Sequence, residues 1–303
     1  MDIAIMLSTY NGERFLRKQL DSLVNQSLRD NIHLYVRDDG SKDDTLRILE
    51  EYKDKISLTI IKGVNIGSAM SFWEMFTKVD IIADYYAFCD QDDIWDSDKI
   101  EKGIRFLQGN ESIPCLWCSN CRLIDANDVI IKEKMNKKGL KLELCSQFVC
   151  GTTQGCAMLC NDALRRYIIS KKVDRFPMHD FVLMTYALAK GKVIYDDVPS
   201  FSYRIHTGNV VARGGKTVIS RLKISFDAWF SYKHKNQLSD YAAKFLKDNE
   251  NHLDRDTAKY LYMLANIRFS LKNRLKIVLD SRTTAANRWA VKSYKIRTLL
   301  GII

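Results

Sequence analysis

Residues 85–95 read YYAFCDQDDIW, so an apolar run leads directly into three carboxylates. The run Tyr85–Cys89 predicts a buried β-strand, and Asp90, Asp92 and Asp93 follow at its carboxyl end. Open α/β sheets bind their ligands at this edge. Carboxylates gathered there suit a hard divalent cation, which in turn neutralises a diphosphate. An acidic surface turn is the alternative, but apolar residues bracket the acids on both sides and favour the metal site.

Upstream of this stretch, short apolar runs alternate with helical patterns. The expected strands are Ile3–Leu7, His33–Arg37 and Leu58–Ile61, and the expected helices lie near Glu13–Asn25, Asp44–Tyr52 and Ser68–Thr77. This βαβαβα alternation predicts the α/β class, with a Rossmann-like, mainly parallel sheet flanked by helices. Downstream we expect a helix near 98–107, a strand near 116–119, a polar segment over 127–142 and a glycine-bracketed stretch over 151–155.

Composition and charge divide the chain. The 303 residues are 46% hydrophobic and 28% charged, which is typical of an ordered globular protein. We expect one large α/β domain over 1–215 and a helical extension over 216–303. Of the net charge of +10, the extension accounts for all the excess, with 18 Lys+Arg against 7 Asp+Glu. Such a basic region indicates a polyanionic partner surface, either anionic lipid or nucleic acid.

The C-terminal extension reads as amphipathic helices. One face is predicted from Ile219, Leu222, Phe226, Trp229 and Phe230, and further helices are expected near Thr257–Leu279. Aromatic residues interleave with the basic ones, namely Trp229, Phe230, Tyr260, Tyr262, Trp289 and Tyr294. This mixture favours an anionic membrane surface as the partner, and a solvated face or a homodimer contact is the alternative.

No targeting or membrane-spanning segment is expected. The N-terminus lacks the basic start and cleavage site of a signal peptide, and Asp80, Asp84 and Asp90 interrupt the most apolar segment. We therefore expect a cytoplasmic protein that does not cross the bilayer.

Eight scattered cysteines suit a reducing compartment. Cys115, Cys118 and Cys121 form a CxxCxxC run that could bind zinc or an iron–sulfur cluster. Because no fourth ligand follows closely, buried free thiols are the preferred interpretation.

Two further motifs follow predicted strands. Ser8–Glu13 places polar side chains and free backbone amides where the first strand gives way to a helix, and this geometry suits a nucleotide, although a plain turn explains it equally well. After the second strand, Asp38 and Asp39 precede a glycine, and an Asp here can accept a base N–H. Helix capping explains either Ser41 or Asp43 in this motif. It explains neither Asp38 nor Asp39.

The order and spacing of these three motifs resemble glycosyltransferase family 2, whose catalytic domain has the GT-A fold. The resemblance covers roughly residues 1–210, and the run Phe88–Trp95 is similar to the bacterial rhamnosyltransferase branch. It implies a nucleotide-binding half over 1–110 and an acceptor-binding half over 111–215.

The resemblance also implies roles for individual residues. Asp38 or Asp39 would read the pyrimidine base, and Asp90 with Asp92 would form the metal and diphosphate site, supported by Asp93. The residues implied in nucleotide binding are Thr9, Tyr10, Asn11, Glu13, Asp38, Asp39, Asn65, Gly67 and Asp90.

Two later segments complete the resemblance. In Met178–Phe181, Asp180 is the candidate general base, and His179 stands where many relatives carry Glu, so its role is open between acceptor contact and a structural histidine. In Tyr203–Asn209, His206 is expected at the metal or diphosphate, and Arg204 beside it is expected to contact the acceptor or the diphosphate. Gln154 lies in the stretch that looks like the acceptor-side loop, for which a plain turn is an equal alternative.

The implied reaction is a single displacement with inversion at the anomeric carbon, assisted by Mg²⁺ or Mn²⁺. The branch implies dTDP-rhamnose as donor, with a UDP-hexose as the alternative, and a cell-surface polysaccharide or lipid-linked glycan as acceptor. The enzyme would then work at the inner face of the cell membrane.

Two rival functions are disfavoured. A sugar-phosphate nucleotidyltransferase usually carries a Gly- and Arg-rich loop that Ser8–Glu13 lacks, and no GxGxxG or P-loop motif follows any strand. A nucleic-acid-binding module would leave Asp90, Asp92 and Asp180 unexplained, so nucleic acid is not expected as a partner.

Overall fold

The computed structural model describes residues 1–206 and 236–303, which form two units. Unit 1 comprises 1–139, 153–170 and 191–206, and unit 2 comprises 140–152, 171–190 and 236–303 of the described residues. This division differs from the sequence division at residues 215 and 216, because 140–152 and 171–190 group with the C-terminal helices. The nucleotide and acceptor halves predicted from the sequence stay a prediction.

The described residues contain nine strands and eleven α-helices. The strands are β1 Ile3–Thr9, β2 Ile32–Asp38, β3 Leu58–Lys62, β4 Tyr85–Asp90, β5 Ile94–Trp95, β6 Cys115–Ile124, β7 Ile130–Lys132, β8 Met158–Asn161 and β9 Lys192–Arg204. The helices are α1 Glu13–Val24, α2 Thr45–Glu50, α3 Ser68–Thr77, α4 Lys99–Leu107, α5 Leu144–Val149, α6 Asp162–Ser170, α7 His179–Lys190, α8 Gln237–Asn249, α9 Arg255–Ala265, α10 Leu271–Leu279 and α11 Arg288–Leu300.

All nine strands belong to one sheet in unit 1, with the order β3-β2-β1-β4-β8-β6-β9-β5 and β7 paired to β6. The first four strands in this order run parallel. Strand β8 is antiparallel to both of its neighbours, β9 is parallel to β6, and β5 is antiparallel to β9. The predicted α/β fold class is confirmed, and the antiparallel pairs in the second half make the sheet mixed.

The register of β1 brings polar residues to one edge. Thr9 at the end of β1 pairs with Asp38 at the end of β2, and Ser8 pairs with Asp90 at the end of β4. Parallel strands end at the same edge of a sheet, so the three loops that follow β1, β2 and β4 are neighbours.

Helices cover both faces of the parallel strands. Alternate residues of β1, Ile3, Ile5 and Leu7, are buried in a core with residues of α1, α2 and α4. On the opposite face, the Phe72 and Phe76 rings of α3 meet Phe88 with centroids 5.5 and 5.6 Å apart. Two opposed layers therefore bury β1 and β4 on both sides, which is why these strands are apolar throughout.

The CxxCxxC run lies within β6. Cys115, Cys118 and Cys121 are buried, and successive side chains of a strand point to opposite faces. Cys118 therefore faces away from the other two, and one ion cannot collect all three. Burial raises the pKa of Cys118 and of Cys121 to about 12, which keeps both as thiols.

Unit 2 is helical and has an aromatic core. The Phe148 ring of α5 contacts the Phe181 ring of α7 at 5.4 Å and the Phe245 ring of α8 at 5.6 Å. Towards the C-terminus, the Tyr260 hydroxyl lies 3.1 Å from that of Tyr294, and both side chains are fully buried. These two tyrosines were expected on a membrane-facing surface, and that expectation is wrong because they form the core between α9 and α11.

The predicted helical face over Ile219–Phe230 and the end of the Tyr203–Asn209 motif lie outside the described residues. Within 1–206 and 236–303, no helix has the length and apolar character needed to cross a bilayer.

Acid should weaken the folded state through His179 at the start of α7. Its side chain is 4% exposed, and burial lowers its pKa from 6.5 to about 3. Between these values the unfolded chain binds a proton that the folded chain does not, so stability falls as pH falls. From pH 7 to pH 5 we expect the free energy of unfolding, measured with urea, to fall by about 2 kcal/mol because of His179. The variant His179→Phe should not show this fall. An identical loss in both proteins would contradict this explanation; the exposed His252, as His252→Asn, is the matched control.

Candidate active site

The loop after β1 is joined to the segment after β2 by hydrogen bonds from backbone amides to side-chain oxygens. The Asn11 and Gly12 amides donate to Ser41 Oγ and Thr45 Oγ1 at 2.9 and 2.8 Å. The Glu13 amide donates to Asp43 Oδ2 at 3.0 Å. In the opposite direction, the Lys42 and Asp44 amides donate to Asn11 Oδ1 and Glu13 Oε2 at 2.8 and 2.9 Å.

These bonds correct the sequence prediction of free amides over Ser8–Glu13. Each amide from Asn11 to Glu13 already has a side-chain acceptor, so a nucleotide would meet side chains instead of a ring of open N–H groups. Tyr10 is 44% exposed at this edge, and it offers an aromatic surface next to the joined loops.

Gln91 links this pair of loops to the acidic loop after β4. Its Oε1 accepts a hydrogen bond from the Tyr10 amide at 2.9 Å, and its Nε2 donates to the Tyr10 carbonyl at 3.2 Å. A Cβ at Gly12 would lie 2.2 Å from this Oε1, so the Gln91 amide occupies the space that Gly12 leaves open. No sequence motif assigns a role to Gln91.

Asp38 and Asp39 point into the protein. Asp38 is 1% exposed, and its carboxylate accepts from the Thr9 and Ser41 hydroxyls at 3.0 and 2.6 Å. Asp39 is 2% exposed, pairs with Arg37, and accepts from the Gly67 amide at 2.8 Å. Both carboxylates shape the loops, and direct recognition of a base by either one stays a prediction.

Gly67 is the N-cap residue before α3. Its φ of +84° favours glycine, and its amide donates to Asp39. Asn65 lies two residues earlier and is exposed at the same edge. The structure thus places both predicted residues beside the β2 loop.

The acidic loop divides its carboxylates between surface and interior. Asp92 Oδ2 lies 2.6 Å from His206 Nε2, and the His206 ring packs on Phe15 at 4.9 Å. Asp93 is fully buried, and burial, with neighbouring Asp92 and Asp90, raises its pKa well above the usual range. The predicted proximity of His206 to the acidic motif is therefore observed.

Three side chains near the acidic loop could supply ligands to a cation. Ligand atoms of Asp90, Asp93 and Cys156 lie within 4.8 Å of one another. Burial raises the pKa of Cys156 well above its usual value, and a protonated thiol is a poor ligand for a hard cation. Among these donors, the carboxylate oxygens of Asp90 and Asp93 are the type of ligand that a hard cation prefers.

Arg204 supports the acidic loop from inside. Its side chain is fully buried, its Nε donates to the Asp92 carbonyl at 2.7 Å, and its Nη1 pairs with Asp128. Its backbone amide donates to Asp93 Oδ1 at 3.1 Å. The predicted direct contact with a diphosphate does not fit a side chain with no exposed surface, so Arg204 positions the loop instead.

Lys99 of α4 is another buried cation, and no sequence motif singled it out. It is 1% exposed, and its Nζ donates to the Cys156 carbonyl at 2.9 Å. The ammonium also lies over the Trp95 and Phe201 rings at 4.6 and 4.4 Å, and burial lowers its pKa to about 8. The signal was available, since Lys99 stands on the face of α4 that Gly103 and other buried residues share.

Comparison with known proteins now places the chain. A family model described as "Glycosyl transferase family 2" matches residues 4–168. The chain belongs to glycosyl transferase family 2. It is thus a glycosyltransferase, as the sequence motifs predicted.

Individual relatives agree with this assignment. The chain is 30% identical over 243 residues to the dTDP-rhamnosyl transferase RfbG of Shigella flexneri, covering 74% of this chain and 80% of that one. Among solved structures it resembles S. aureus TarS 1–349 in complex with UDP, with a TM-score of 0.58 and 14% identity over 99% of this chain and 89% of that one. It also resembles the mannosyltransferase PcManGT of Pyrobaculum calidifontis in complex with GDP-Man and Mn²⁺, with a TM-score of 0.50, 14% identity, and 98% and 86% coverage. At such identities the structural likeness shows the fold.

The acceptor-side candidates of this glycosyltransferase lie in different environments. Asp180 is the second residue of α7, and its Oδ1 accepts from the Phe181 amide at 2.6 Å, so it lies inside the first helical turn and is not the N-cap. His179 is buried with a strongly lowered pKa, which matches a structural histidine. Gln154, in unit 1, is half-buried, and its Nε2 lies 2.9 Å from Met135 Sδ.

The Gln91 link should be visible in a double-mutant cycle. Gly12→Ala places a methyl group where Gln91 Oε1 lies, so the Gln91 side chain must leave Tyr10 and lose both hydrogen bonds. We expect Gly12→Ala to cost about 1–2 kcal/mol of stability in the wild type, and under about 0.5 kcal/mol in a Gln91→Ala background. Additive costs in urea unfolding would show that the two residues do not interact.

Proposed function

We propose that this glycosyltransferase transfers rhamnose from dTDP-rhamnose to a cell-surface polysaccharide or lipid-linked glycan, with inversion at the anomeric carbon. The observation that carries the proposal is the meeting of three strand ends, where Thr9 pairs with Asp38 and Ser8 pairs with Asp90, beside the Asp92–His206 pair. Such an edge offers a surface for a nucleoside next to carboxylates for a metal-bound diphosphate.

The choice of donor draws support from the relatives. RfbG is named a dTDP-rhamnosyl transferase and matches this chain over most of both lengths. A UDP-hexose is the second candidate, because TarS has been solved with UDP-GlcNAc. We place dTDP-rhamnose first because the identity to RfbG is 30%, against 14% to TarS.

We propose that Asp90 and Asp92 hold a divalent cation, Mg²⁺ or Mn²⁺. When bound, the cation would offset the charge of the departing diphosphate. His206 and Arg204 fix this arrangement from the protein side, since His206 orients the Asp92 carboxylate and Arg204 holds its carbonyl. PcManGT, solved with Mn²⁺ and GDP-Man, supports a cation in this fold.

Residues 111–215 would bind the acceptor, and Asp180 would remove the proton of the attacking hydroxyl. A sugar hydroxyl is a weak nucleophile near neutral pH, so a positioned carboxylate must take its proton as the new bond forms. Asp180 keeps a carboxylate in the first turn of α7, where the helix N-terminus favours negative charge. Acceptors of this kind place the enzyme at the inner face of the cell membrane.

Nucleotide binding should depend on the cation. Two phosphates near Asp90 and Asp92 repel these carboxylates unless a metal intervenes, so dTDP or dTDP-rhamnose should raise the melting temperature only with Mn²⁺ or Mg²⁺ present. At a ligand concentration of about 100 Kd the stabilisation is about 2.7 kcal/mol. Asp92→Asn should lose the shift, and Asp54→Asn at an exposed turn should keep it. A full shift for Asp92→Asn in EDTA would rule out this metal site, and a larger shift with UDP-GlcNAc would favour the second donor.

Asp180→Asn separates a chemical from a structural role. Asparagine can still accept the Phe181 amide but cannot remove a proton, so turnover should fall by about 10²–10⁴-fold. Donor binding and melting temperature should change little. The measurement is release of dTDP in the presence of acceptor, and near-normal turnover would remove Asp180 from the mechanism.

A further inference from the structure

Helix α10 exposes a row of leucines. Leu271, Leu275 and Leu279 are 64%, 48% and 82% exposed, and they recur every four residues along one side of the helix. Phe269, just before the helix, is 81% exposed. We call these four residues, together with Lys272 and Lys276, the leucine–lysine face.

This row is not the side that packs into unit 2. Ile277 is fully buried and anchors α10, whereas the leucines lie on a second apolar stripe that faces outward. Ordinary surface helices keep one apolar stripe and bury it. A contiguous set of large exposed apolar side chains marks an interaction surface.

The sequence that carries this face is strongly basic. Residues 266–303 contain nine Lys+Arg and a single acidic residue, Asp280, which pairs with Arg282. Lys272 and Lys276 stand one position after Leu271 and Leu275, are exposed, and make no ion pair with any residue in the described ranges. Neither lysine is thus compensated within the described protein, and both are available to an anionic partner.

The neighbouring helix extends the same chemistry and fixes the position of the face. In α11, Trp289 and Ile296 are 50% and 48% exposed, and Lys292 is exposed between them. Arg274 joins the helices, because its Nη1 donates to the Leu299 carbonyl at 3.2 Å and its Nε to the Ile267 carbonyl at 2.7 Å. The helix pair presents apolar and basic side chains from a braced scaffold.

We propose that the leucine–lysine face binds an anionic phospholipid bilayer. Leucine and phenylalanine side chains suit insertion at the acyl boundary, and lysines one position away suit the phosphate headgroups. Near an anionic leaflet each basic residue strengthens binding about five-fold. The excess of positive charge favours this partner over a second copy, whose identical basic face would repel it.

This inference rests on the proposed function only in explaining why the enzyme would bind a membrane. Binding to lipid needs neither the sugar donor nor the acceptor, so it can be measured separately. The experiment is therefore sedimentation of the full chain with vesicles of phosphatidylcholine alone, or with about 30% phosphatidylglycerol, at low and high salt. We expect binding to the anionic vesicles that weakens steeply with salt.

Matched variants test the face itself. Lys272→Glu/Lys276→Glu should weaken binding at least about twenty-five-fold, on the five-fold scale per lysine. Leu275→Ser/Leu279→Ser should also weaken it, and should do so at high salt as well. Lys137→Glu/Lys138→Glu and Ile130→Ser/Ile131→Ser change exposed residues of the same types in unit 1 and should bind like the wild type. Unchanged circular dichroism and dTDP binding would show that the variants fold.

Several results would overturn the proposal. One is equal sedimentation with neutral and anionic vesicles. Another is equal vesicle binding by the variants of the leucine–lysine face and by the unit 1 control variants. A third is a dimer, detected by light scattering, that only the leucine variant loses. If the protein bound anionic vesicles but did not bind dTDP or dTDP-rhamnose, the proposed function would be rejected and the proposed membrane-binding face would remain supported.

Discussion

The parallel register of β2, β1 and β4 is the constraint on which the site depends. It ends three strands at one edge, so their loops must share a small space and satisfy one another's backbone groups. The Asn11–Glu13 amides turn to the β2 loop, and Gln91 ties Tyr10 to the acidic loop. A donor would therefore approach a surface whose hydrogen bonds are already made and whose shape is set in advance, which lowers the ordering cost of binding.

The burial of ionisable groups is the second constraint. Arg204, Asp93 and Lys99 lose almost all contact with water behind the acidic loop, and isolated burial of such groups is costly. Each has specific partners: backbone carbonyls and Asp128 for Arg204, the Arg204 amide for Asp93, and the Cys156 carbonyl with aromatic faces for Lys99. Arg204 bonds to both Asp92 and Asp93, and the Lys99 ammonium lies over Trp95 just after them, so this cluster favours a single geometry of the loop that carries Asp90 and Asp92.

Sequence reasoning predicted the fold class and the edge that carries the acids, because strand periodicity and strand-end motifs are local signals. It could not predict which polar groups serve the scaffold. Asp38 and Asp39 match a ligand-reading pattern, and the sequence did not reveal that both carboxylates also hold the Ser41 and Gly67 turns. Arg204 was expected at the diphosphate but is fully buried, and Lys99 and Gln91 were missed, because their partners lie far away in the chain. Such pairings depend on tertiary packing, which no single-sequence period encodes.

The helical unit shows the same limit in another form. A basic region with interleaved aromatics indicates an anionic partner, but composition does not say which side of a helix meets it. Tyr260 and Tyr294 match the aromatic pattern and are core residues joined through their hydroxyls. Leu271, Leu275 and Leu279 look like an ordinary core stripe and are exposed, because Ile277 already fills the contact with the unit. The number of apolar positions in α10 exceeds what one buried face can hold, and the surplus lies beside the lysines. A second, exposed apolar stripe is thus the feature on which the proposed membrane-binding face rests.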